Sequence, residues 1–216
     1  MKDTYRHKGM RKRLVEELRR KGITDERLLA AIGALPRHFF LDKAFEEWAY
    51  KDKPFPIGND QTISQPYTVA YQTSLLQIKK RDKVLEVGTG SGYQAALLAM
   101  LGARVYTVER QEMLYEKAKA LLSKLQPGNI RCYLRDGYKG LPEFAPFDKI
   151  IVTAGAPEVP QPLLEQLAIG GIMVIPVGEP VQKMHRIIRI SEEEYDDRVL
   201  ANFRFVPLLK GLNTKS

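Results

Sequence analysis

The stretch that decides the fold reads Val84-Leu85-Glu86-Val87-Gly88-Thr89-Gly90-Ser91-Gly92-Tyr93. Its first four residues are mostly apolar and predict a buried strand, and the three alternating glycines predict a tight turn. The apolar segment that follows, Ala95 to Leu101, predicts a helix. A strand, a glycine loop and a helix in this order open the nucleotide-binding units of α/β folds.

The spacing of the glycines distinguishes between cofactor classes. A dinucleotide fingerprint requires Gly-x-Gly-x-x-Gly, which would place its third glycine at position 93, where this chain has Tyr93. Glycines at 88, 90 and 92 instead resemble the first motif of S-adenosylmethionine-dependent methyltransferases. That resemblance implies a loop that holds the amino-acid end and the ribose of the cofactor. A nicotinamide enzyme stays an alternative, because both cofactors present ribose diols.

An acidic residue follows at the distance that a ribose site requires. The run Arg104–Glu109 predicts the second strand, and it ends in a carboxylate. In nucleotide-binding folds, an acid about 20 residues beyond the first glycine accepts hydrogen bonds from ribose hydroxyls. Glu109 lies at that offset from Gly88. Alone it would equally suit a solvated strand end, but together with the loop it predicts a ribose contact.

Strands and helices alternate from residue 82 onward. The predicted strands are Lys83–Val87, Arg104–Glu109, Ile130–Arg135, Phe147–Thr153 and Gly171–Val177. The predicted helices are Tyr93–Leu101, Gln111–Leu125 and Gln161–Leu167. This alternation implies an α/β fold with a parallel, doubly wound sheet. Two final runs, Met184–Ile190 and Val199–Val206, predict an antiparallel hairpin at the sheet edge. Such a Rossmann-like sheet is typical of the class I methyltransferases that the loop resembles.

The N-terminal part of the chain predicts helices. A first helix is expected over Met10 to Lys21, and a second is expected after an N-cap at Thr24. A loop then leads to a third helix, capped by Ser64 or Gln65 and opening with Pro66. We expect residues 1–58 to form a helical segment that packs on a methyltransferase domain, residues 59–216, within one globular unit.

Composition sets limits on the class of protein. The chain has 216 residues, of which 44% are hydrophobic and 28% are charged, an ordinary balance for a globular domain. No apolar run approaches the ~18 residues of a membrane span, and the charged N-terminus is not a signal peptide. Cys132 is the only cysteine, which excludes an internal disulfide and a cysteine metal cluster. We therefore expect a cytoplasmic protein without a metal site or a membrane partner.

The net charge of +8 is concentrated near the N-terminus. Residues 1–27 contain ten Lys/Arg and five Asp/Glu, a net +5, which leaves +3 for the remaining residues. A nucleic-acid surface is one interpretation. A solvated helix face is favoured, because Glu16 and Glu17 are spaced to pair with basic residues of the same helix. We expect no nucleic-acid partner.

Five stretches together resemble one enzyme family. The run Ile63-Ser64-Gln65-Pro66-Tyr67 resembles the signature of protein-L-isoaspartate O-methyltransferases. The other stretches that match the family, in its order, are Val84–Tyr93, Val105–Arg110, Arg135–Gly140 with Phe147–Pro157, and Phe205–Leu208. They cover most of positions 58 to 208. The cofactor motifs are shared by many methyltransferases, whereas Ile63–Tyr67 and Phe205–Leu208 distinguish this family from its relatives.

The resemblance implies a repair reaction. The family transfers a methyl group from S-adenosylmethionine to the α-carboxylate of L-isoaspartyl residues in aged proteins, giving a methyl ester and S-adenosylhomocysteine. Because a carboxylate is already a nucleophile, catalysis needs positioning and desolvation rather than a strong base. The three histidines, His7, His38 and His185, accordingly lie far from the motifs and are interpreted as surface or packing residues.

The resemblance also assigns roles to individual residues. Ser64 is implied to orient the substrate carboxylate, although it would also suit a helix cap. The implied cofactor-binding residues are Glu86, Gly88, Thr89, Gly90, Ser91, Gly92, Glu109, Asp136 and Gly137. The implied substrate-binding residues are Asp60, Thr62, Ile63, Val206 and Pro207. Asp136-Gly137 would also suit a simple turn, and Phe205–Leu208 would also suit packing on an edge strand.

Two other functions stay open at the level of sequence. A nucleic-acid methyltransferase of the same fold would agree with the basic charge. Amino-directed members carry an Asn/Asp-Pro-Pro-aromatic motif after the fourth strand, where this chain has Thr153-Ala154-Gly155-Ala156-Pro157. A non-catalytic cofactor-binding protein is the other possibility. The preferred prediction is a monomeric enzyme whose partners are damaged proteins and peptides with L-isoaspartyl residues.

Overall fold

The computed structural model describes residues 2–214, which form an α/β fold around a seven-stranded sheet. The α-helices are α1 (Tyr5–Arg20), α2 (Glu26–Ala34), α3 (Pro66–Leu76), α4 (Tyr93–Met100), α5 (Glu112–Leu125) and α6 (Gln161–Glu165). The strands are β1 (Phe55–Gly58), β2 (Gln61–Ile63), β3 (Lys83–Val87), β4 (Arg104–Glu109), β5 (Ile130–Leu134), β6 (Phe147–Val152), β7 (Leu167–Val177), β8 (Gln182–Arg189) and β9 (Tyr195–Phe203). Among residues 2–214, no helix has the length and apolarity needed to cross a membrane.

The order of the strands fixes where a ligand can bind. The sheet runs β5-β4-β3-β6-β7-β8-β9, with β3 to β7 parallel and with β8 and β9 antiparallel at one edge. This confirms the predicted class I methyltransferase architecture. The chain progresses outward from β3 to β5 and then returns to the other side of β3 with β6. Such a reversal opens a crevice at the carboxyl ends of the central strands, where α/β sheets bind ligands.

The two faces of the sheet are covered by separate apolar clusters. Successive strand residues point to opposite faces, so Val84 of β3 contacts one cluster and Leu85 contacts the other. The N-terminal helices contribute Leu14 and Leu28 to the same cluster as Val84. The helices α1 and α2 are therefore part of the main core. The division between residues 58 and 59 stays a prediction, and it falls at the turn of the hairpin β1–β2.

The residues before the third helix form a hairpin where the sequence predicted only a loop. β1 and β2 pair antiparallel, and the turn between them contains Asn59 and Asp60 with φ of 52° and 56°. Two consecutive residues with positive φ are the requirement of a type I′ turn, for which Asn and Asp are suited. The hairpin brings Ser64 directly to the start of α3. The N-cap there is Gln65, whose side chain accepts no capping hydrogen bond, and the N–H of Tyr67 donates to the Asp52 carboxylate, so the predicted capping role of Ser64 is wrong.

Other boundaries differ for local reasons. α1 begins at Tyr5 rather than Met10, because the side chains of Thr4 and His7 form a reciprocal capping box. The cap of α2 is Asp25 and not Thr24, since the Asp25 carboxylate accepts the N–H of Leu28. β9 begins at Tyr195 and ends at Phe203, because its pairing with β8 extends to the end of that strand.

Candidate active site

One cleft opens at the carboxyl ends of β3, β4 and β6. It brings together most of the residues that the sequence assigned to the site: Thr62, Ile63, Ser64, Gly88, Thr89, Gly90, Ser91, Glu109, Gly137, Val206 and Pro207. Asp60, Glu86, Gly92 and Asp136 do not line it. Asp60 is exposed in the hairpin turn, and Gly92 begins α4 behind the loop. The cofactor motifs and the family-specific Ile63–Ser64 pair therefore meet in a single cavity.

The glycine loop needs glycine for two separate reasons. Gly88, Gly90 and Gly92 have φ of 99°, 51° and 86°, a region that other residues rarely adopt. A Cβ at Gly88 would also lie 2.5 Å from Oγ1 of Thr153 at the end of β6. The backbone N–H groups of Gly88 and Thr89 both donate to the carbonyl of Val108, which ties the loop to β4. The loop thus exposes bare backbone to the cleft, a surface that can approach a nucleoside closely.

Glu109 fixes the loop from the end of β4. Its Oε2 accepts the N–H of Gly90 at 2.9 Å, and its Oε1 accepts the N–H groups of Arg110 and Gln111 at 2.9 Å. The side chain is buried yet lines the cleft. A carboxylate can accept about four hydrogen bonds, so three backbone donors leave it able to accept one from a ligand hydroxyl. This geometry fits the ribose role that its sequence position predicts.

Glu86 lies beneath the cleft. Its side chain is fully buried on β3, and neither carboxylate oxygen has a hydrogen-bond partner in the part of the chain that the structure describes. Burial raises the pKa of Glu86 to about 8, opposed in part by the Thr107 hydroxyl on β4. The same Thr107 hydroxyl lies 2.6 Å from the hydroxyl of Thr89 in the glycine loop. Thr107 therefore lies between Glu86 and the loop. A direct contact of Glu86 with the cofactor stays a prediction.

Asp136 forms the turn that was its alternative role. Its Oδ1 accepts the N–H of Tyr138, and its Oδ2 accepts the N–H of Gly211, both at 3.0 Å. Gly137 does reach the cleft, and a Cβ there would lie 2.6 Å from Cγ1 of Val87. The carboxylate is therefore held by the turn and by the C-terminal segment, and its implied contact with the cofactor stays a prediction.

The C-terminal segment, residues 205–213, crosses the ends of the strands, and we call it the C-terminal strap. Gly155 donates to the carbonyl of Val206 at 2.8 Å and accepts from the N–H of Leu208 at 2.7 Å. This pairing places Val206 and Pro207 in the cleft wall. An adjoining groove shares Ser64 and Val206 with the cleft and extends along residues 202–205. The strap therefore forms a wall shared by the cleft and an extended groove, and the two cavities meet at Ser64.

Ser64 presents an unused hydroxyl at that junction. Its side chain is half-buried, and its carbonyl accepts from Nη2 of Arg37 at 2.7 Å. Within residues 2–214 no partner satisfies the hydroxyl. A free donor at the meeting point of two cavities fits the implied task of orienting a substrate carboxylate.

Sequence reasoning missed several residues of the cleft. Gln72 of α3 and Gln94 of α4 line it, although both lie on helices that bury most of their residues. Gln72 donates to the carbonyl of Val152, and Oε1 of Gln94 is buried without a partner among the residues described. A polar amide within an apolar helix was the available signal. Tyr93, which stands where a dinucleotide fingerprint would have its third glycine, is also part of the wall.

One group of possible metal ligands lies apart from the cleft. Ligand atoms of Asp3, His7 and His38 all lie within 4.8 Å of one another. Asp3 is already paired with Arg11, and His38 is bonded to Tyr50 and to a backbone carbonyl. These contacts join α1 to the residues that follow α2. They agree with the interpretation of His7 and His38 as packing residues.

Comparison with known proteins decides which family has this arrangement. Residues 9–213 match the family described as protein-L-isoaspartate(D-aspartate) O-methyltransferase (PCMT). The chain belongs to this family. The match includes both family-specific stretches, Ile63–Tyr67 and Phe205–Leu208, as well as the cofactor loop.

Individual PCMT relatives match over nearly their full length. The chain is 62% identical over 213 residues to protein-L-isoaspartate O-methyltransferase of Christiangramia forsetii, covering 99% of this chain and 100% of the relative. It is 58% identical over 213 residues to the Flavobacterium johnsoniae protein of the same name, with the same coverage. A Plasmodium falciparum structure, assigned to the same enzyme and in complex with S-adenosyl-L-homocysteine, has a TM-score of 0.82 at 25% identity, covering 95% of this chain and 99% of that chain.

The fit of the glycine loop predicts the effect of a single methyl group. Gly88→Ala should reduce the affinity for S-adenosylhomocysteine at least about 100-fold, because it combines a strained φ with a clash against Thr153. Gly170→Ala is the matched control, since Gly170 has a positive φ of 77° but nothing within 4 Å of the added Cβ. Calorimetric titration measures both. Equal affinities in the two variants would contradict the proposed role of the loop.

The buried Glu86 predicts a specific pH dependence of stability. The unfolded carboxyl ionises near 4.5, whereas the folded one keeps its proton to about 8. The folded state therefore binds the extra proton in this window, and stability falls as pH rises through it, by at most about 1.4 kcal/mol per pH unit. Urea unfolding from pH 5 to 8 should show this loss in the wild type and not in Glu86→Gln. The exposed Glu193→Gln should behave as wild type, and equal slopes for Glu86→Gln and wild type would refute the assignment.

Proposed function

We propose that this chain transfers a methyl group from S-adenosylmethionine to the free α-carboxylate of L-isoaspartyl residues in proteins and peptides. The products are the methyl ester and S-adenosylhomocysteine. The observation that carries the proposal is the position of Ser64, whose unpartnered hydroxyl lies where the cofactor-type cleft meets an extended groove. The family to which the chain belongs supports the same activity.

The cofactor half of the site consists of backbone and one carboxylate. When bound, S-adenosylmethionine supplies an electrophilic methyl group on a sulfonium centre. The backbone of Gly88 and Gly90 offers a surface for the methionine part, and Glu109 offers acceptor capacity for a ribose hydroxyl. Because Glu109 is held by three N–H groups, the enzyme need not reorganise it on binding, which favours affinity.

The substrate half needs no general base. An isoaspartyl α-carboxylate is ionised at neutral pH, and one of its oxygens can attack the methyl carbon directly. The Ser64 hydroxyl can donate to the other oxygen and so hold the nucleophile in line. Ile63, Val206 and Pro207 form an apolar wall that excludes water from the carboxylate. No histidine is among the residues that line the cleft, which agrees with a reaction controlled by positioning.

Three further properties of the enzyme are the oligomeric state, the cellular compartment and the absence of a nucleic-acid partner. We propose that it works as a monomer in the cytoplasm and without nucleic acid. The basic side chains of α1 support the last point, because Arg19 pairs with Glu16 and Glu26, and Lys21 pairs with Glu17 and Asp52. Arg6 and Arg11 likewise form ion pairs with acids of the same chain. Light scattering after gel filtration measures the oligomeric state.

Two peptides that differ in one linkage test the activity. One contains an L-isoaspartyl residue, and the other contains an ordinary aspartyl residue at the same position. With radiolabelled methyl donor, we expect an alkali-labile methyl ester on the first peptide and none on the second. Methylation of RNA with no transfer to the isoaspartyl peptide would favour the nucleic-acid alternative. Binding of the donor without transfer to any acceptor would favour a non-catalytic protein.

Removal of the Ser64 hydroxyl should affect turnover and not cofactor binding. Ser64→Ala is expected to lower kcat/KM for the isoaspartyl peptide roughly 10- to 100-fold, the cost of losing one hydrogen bond to a charged group. The affinity for S-adenosylhomocysteine should stay within about twofold of wild type. Ser74→Ala is the control, since the Ser74 hydroxyl bonds only to the carbonyl of Tyr71 in the same helix. Unchanged turnover in Ser64→Ala would remove Ser64 from the mechanism.

A further inference from the structure

A buried cation lies directly behind the junction of the two cavities. Arg37 belongs to the short 3-10 turn Arg37–Phe40 that follows α2, and its side chain is fully buried. Its Nε donates to the carbonyl of Ala49 at 3.0 Å, and its Nη2 donates to the carbonyl of Ser64 at 2.7 Å. Its Nη1 has no hydrogen-bond partner among residues 2–214. The guanidinium carbon lies 4.8 Å from the ring centre of Tyr93.

No carboxylate in the described chain forms a salt bridge with this guanidinium. The charge of Asp52 favours the charged guanidinium, but Asp52 is itself bonded to Lys21, Gln65 and the N–H of Tyr67. Burial lowers the pKa of Arg37 to about 10, which leaves the group charged at neutral pH. An uncompensated buried charge is costly to fold. A purely structural link between two carbonyls could be made by a neutral amide at a lower cost.

The charge of Arg37 lies beside Ser64, the residue implied to bind the substrate. Two of its contacts, Ser64 and Tyr93, line the cleft, so the guanidinium lies one residue behind the cleft wall. Arg110 lines the cleft itself, and its Nε is bonded to the carbonyl of Gly211 at the strap, whereas Arg204 lines the adjoining groove. The neighbours of Ser64 in the wall, Thr62 and Ile63, are neutral. Among the described residues, Arg37 is the cation that donates a hydrogen bond to Ser64.

We propose that Arg37 is a positioning and charge-selecting residue of the substrate site. Its cation makes the cleft favour an anionic group at Ser64, the free α-carboxylate of an isoaspartyl residue, over a neutral group of the same shape. The matching neutral group is the α-carboxamide of an isoasparaginyl residue. The hydrogen bond from Arg37 to the Ser64 carbonyl holds the serine in place for the same carboxylate.

The charges before and after transfer give this arrangement a second consequence. In the reaction an oxygen lone pair of the carboxylate forms the O–CH₃ bond, and the electrons of the S–CH₃ bond return to sulfur. The carboxylate and the sulfonium therefore become a neutral ester and a neutral thioether. The attraction to Arg37 is present for the substrate and absent for the product. Arg37 thus favours binding of the carboxylate without retaining the methyl ester.

The inference rests on the proposed function, and binding in the presence of S-adenosylhomocysteine tests it separately. That cofactor product has no sulfonium, so it adds no positive charge at sulfur. Two peptides of one sequence, with isoaspartyl or isoasparaginyl at the same position, are titrated into the enzyme saturated with S-adenosylhomocysteine. We expect the wild type to bind the isoaspartyl peptide at least about tenfold more tightly. Equal affinities in the wild type would overturn the proposal.

Substitutions of Arg37 then test whether its positive charge causes the preference for the isoaspartyl peptide. Arg37→Gln should reduce the ratio of the two affinities about tenfold, whereas Arg37→Lys should keep most of it because the charge is retained. Arg27→Gln is the matched control, since Arg27 also donates to backbone carbonyls, those of Ile78 and Leu101, but does not contact the cleft residues. A wild-type ratio in Arg37→Gln, or a ratio in Arg37→Lys as low as in Arg37→Gln, would contradict the charge-selecting role.

Controls keep the outcomes distinct. Thermal unfolding and the affinity for S-adenosylhomocysteine report whether each variant folds. If Arg37→Gln does not fold, Arg37→Met replaces it as the neutral variant, and its affinity ratio for the two peptides is compared with those of the wild type and Arg37→Lys. A wild-type enzyme that fails to methylate the isoaspartyl peptide refutes the proposed function. One that methylates it but binds both peptides equally refutes only the role of Arg37.

Discussion

The structure of the site depends on the hydrogen bond between the Glu109 carboxylate and the N–H of Gly90. This contact joins the end of β4 to the glycine loop that follows β3, and it leaves the loop backbone open to the cleft. It is possible because β3 and β4 are adjacent and parallel, so their carboxyl ends reach the same edge of the sheet. The fold supplies the edge, and one carboxylate sets the shape of the binding surface there.

The two halves of the site around this contact carry opposite charges. The cofactor half carries Glu109, an acceptor beside a ligand that bears a sulfonium. The substrate half is backed by Arg37, a cation beside a ligand that bears a carboxylate. Each half therefore matches the charge of its own reactant, and both reactant charges disappear on methyl transfer. Catalysis in such a site consists of holding two oppositely charged groups close together and away from water.

The parts of the site that the sequence predicted are those set by local rules. Gly88, Gly90 and Gly92 were recognisable because a tight turn with positive φ values requires glycine at these positions. Glu109 was recognisable because its distance from Gly88 equals the length of one strand-helix-strand unit. The strand alternation likewise gave the sheet, because buried parallel strands are continuous apolar runs. These signals lie within short windows of sequence, and the structure agrees with them.

The parts that sequence reasoning missed depend on contacts between distant residues. Arg37 reaches Ser64 across 27 positions, and Gln72 reaches the carbonyl of Val152 across 80. No local pattern marks either residue. Asp136 combines both situations. Its turn was predictable from the local Asp-Gly pair, whereas its hydrogen bond with Gly211 depends on the course of the C-terminal strap. The β1–β2 hairpin was missed because the type I′ turn uses Asn59 and Asp60 without a glycine.

The most decisive measurement is a crystal structure of the ternary complex with S-adenosylhomocysteine and an isoaspartyl peptide. We expect the ribose hydroxyls to contact Glu109, the sulfur to face Ser64, and the peptide's α-carboxylate to lie within hydrogen-bonding distance of the Ser64 hydroxyl. A nucleoside bound away from Gly88 to Gly92, or a carboxylate turned away from Ser64, would contradict this expectation.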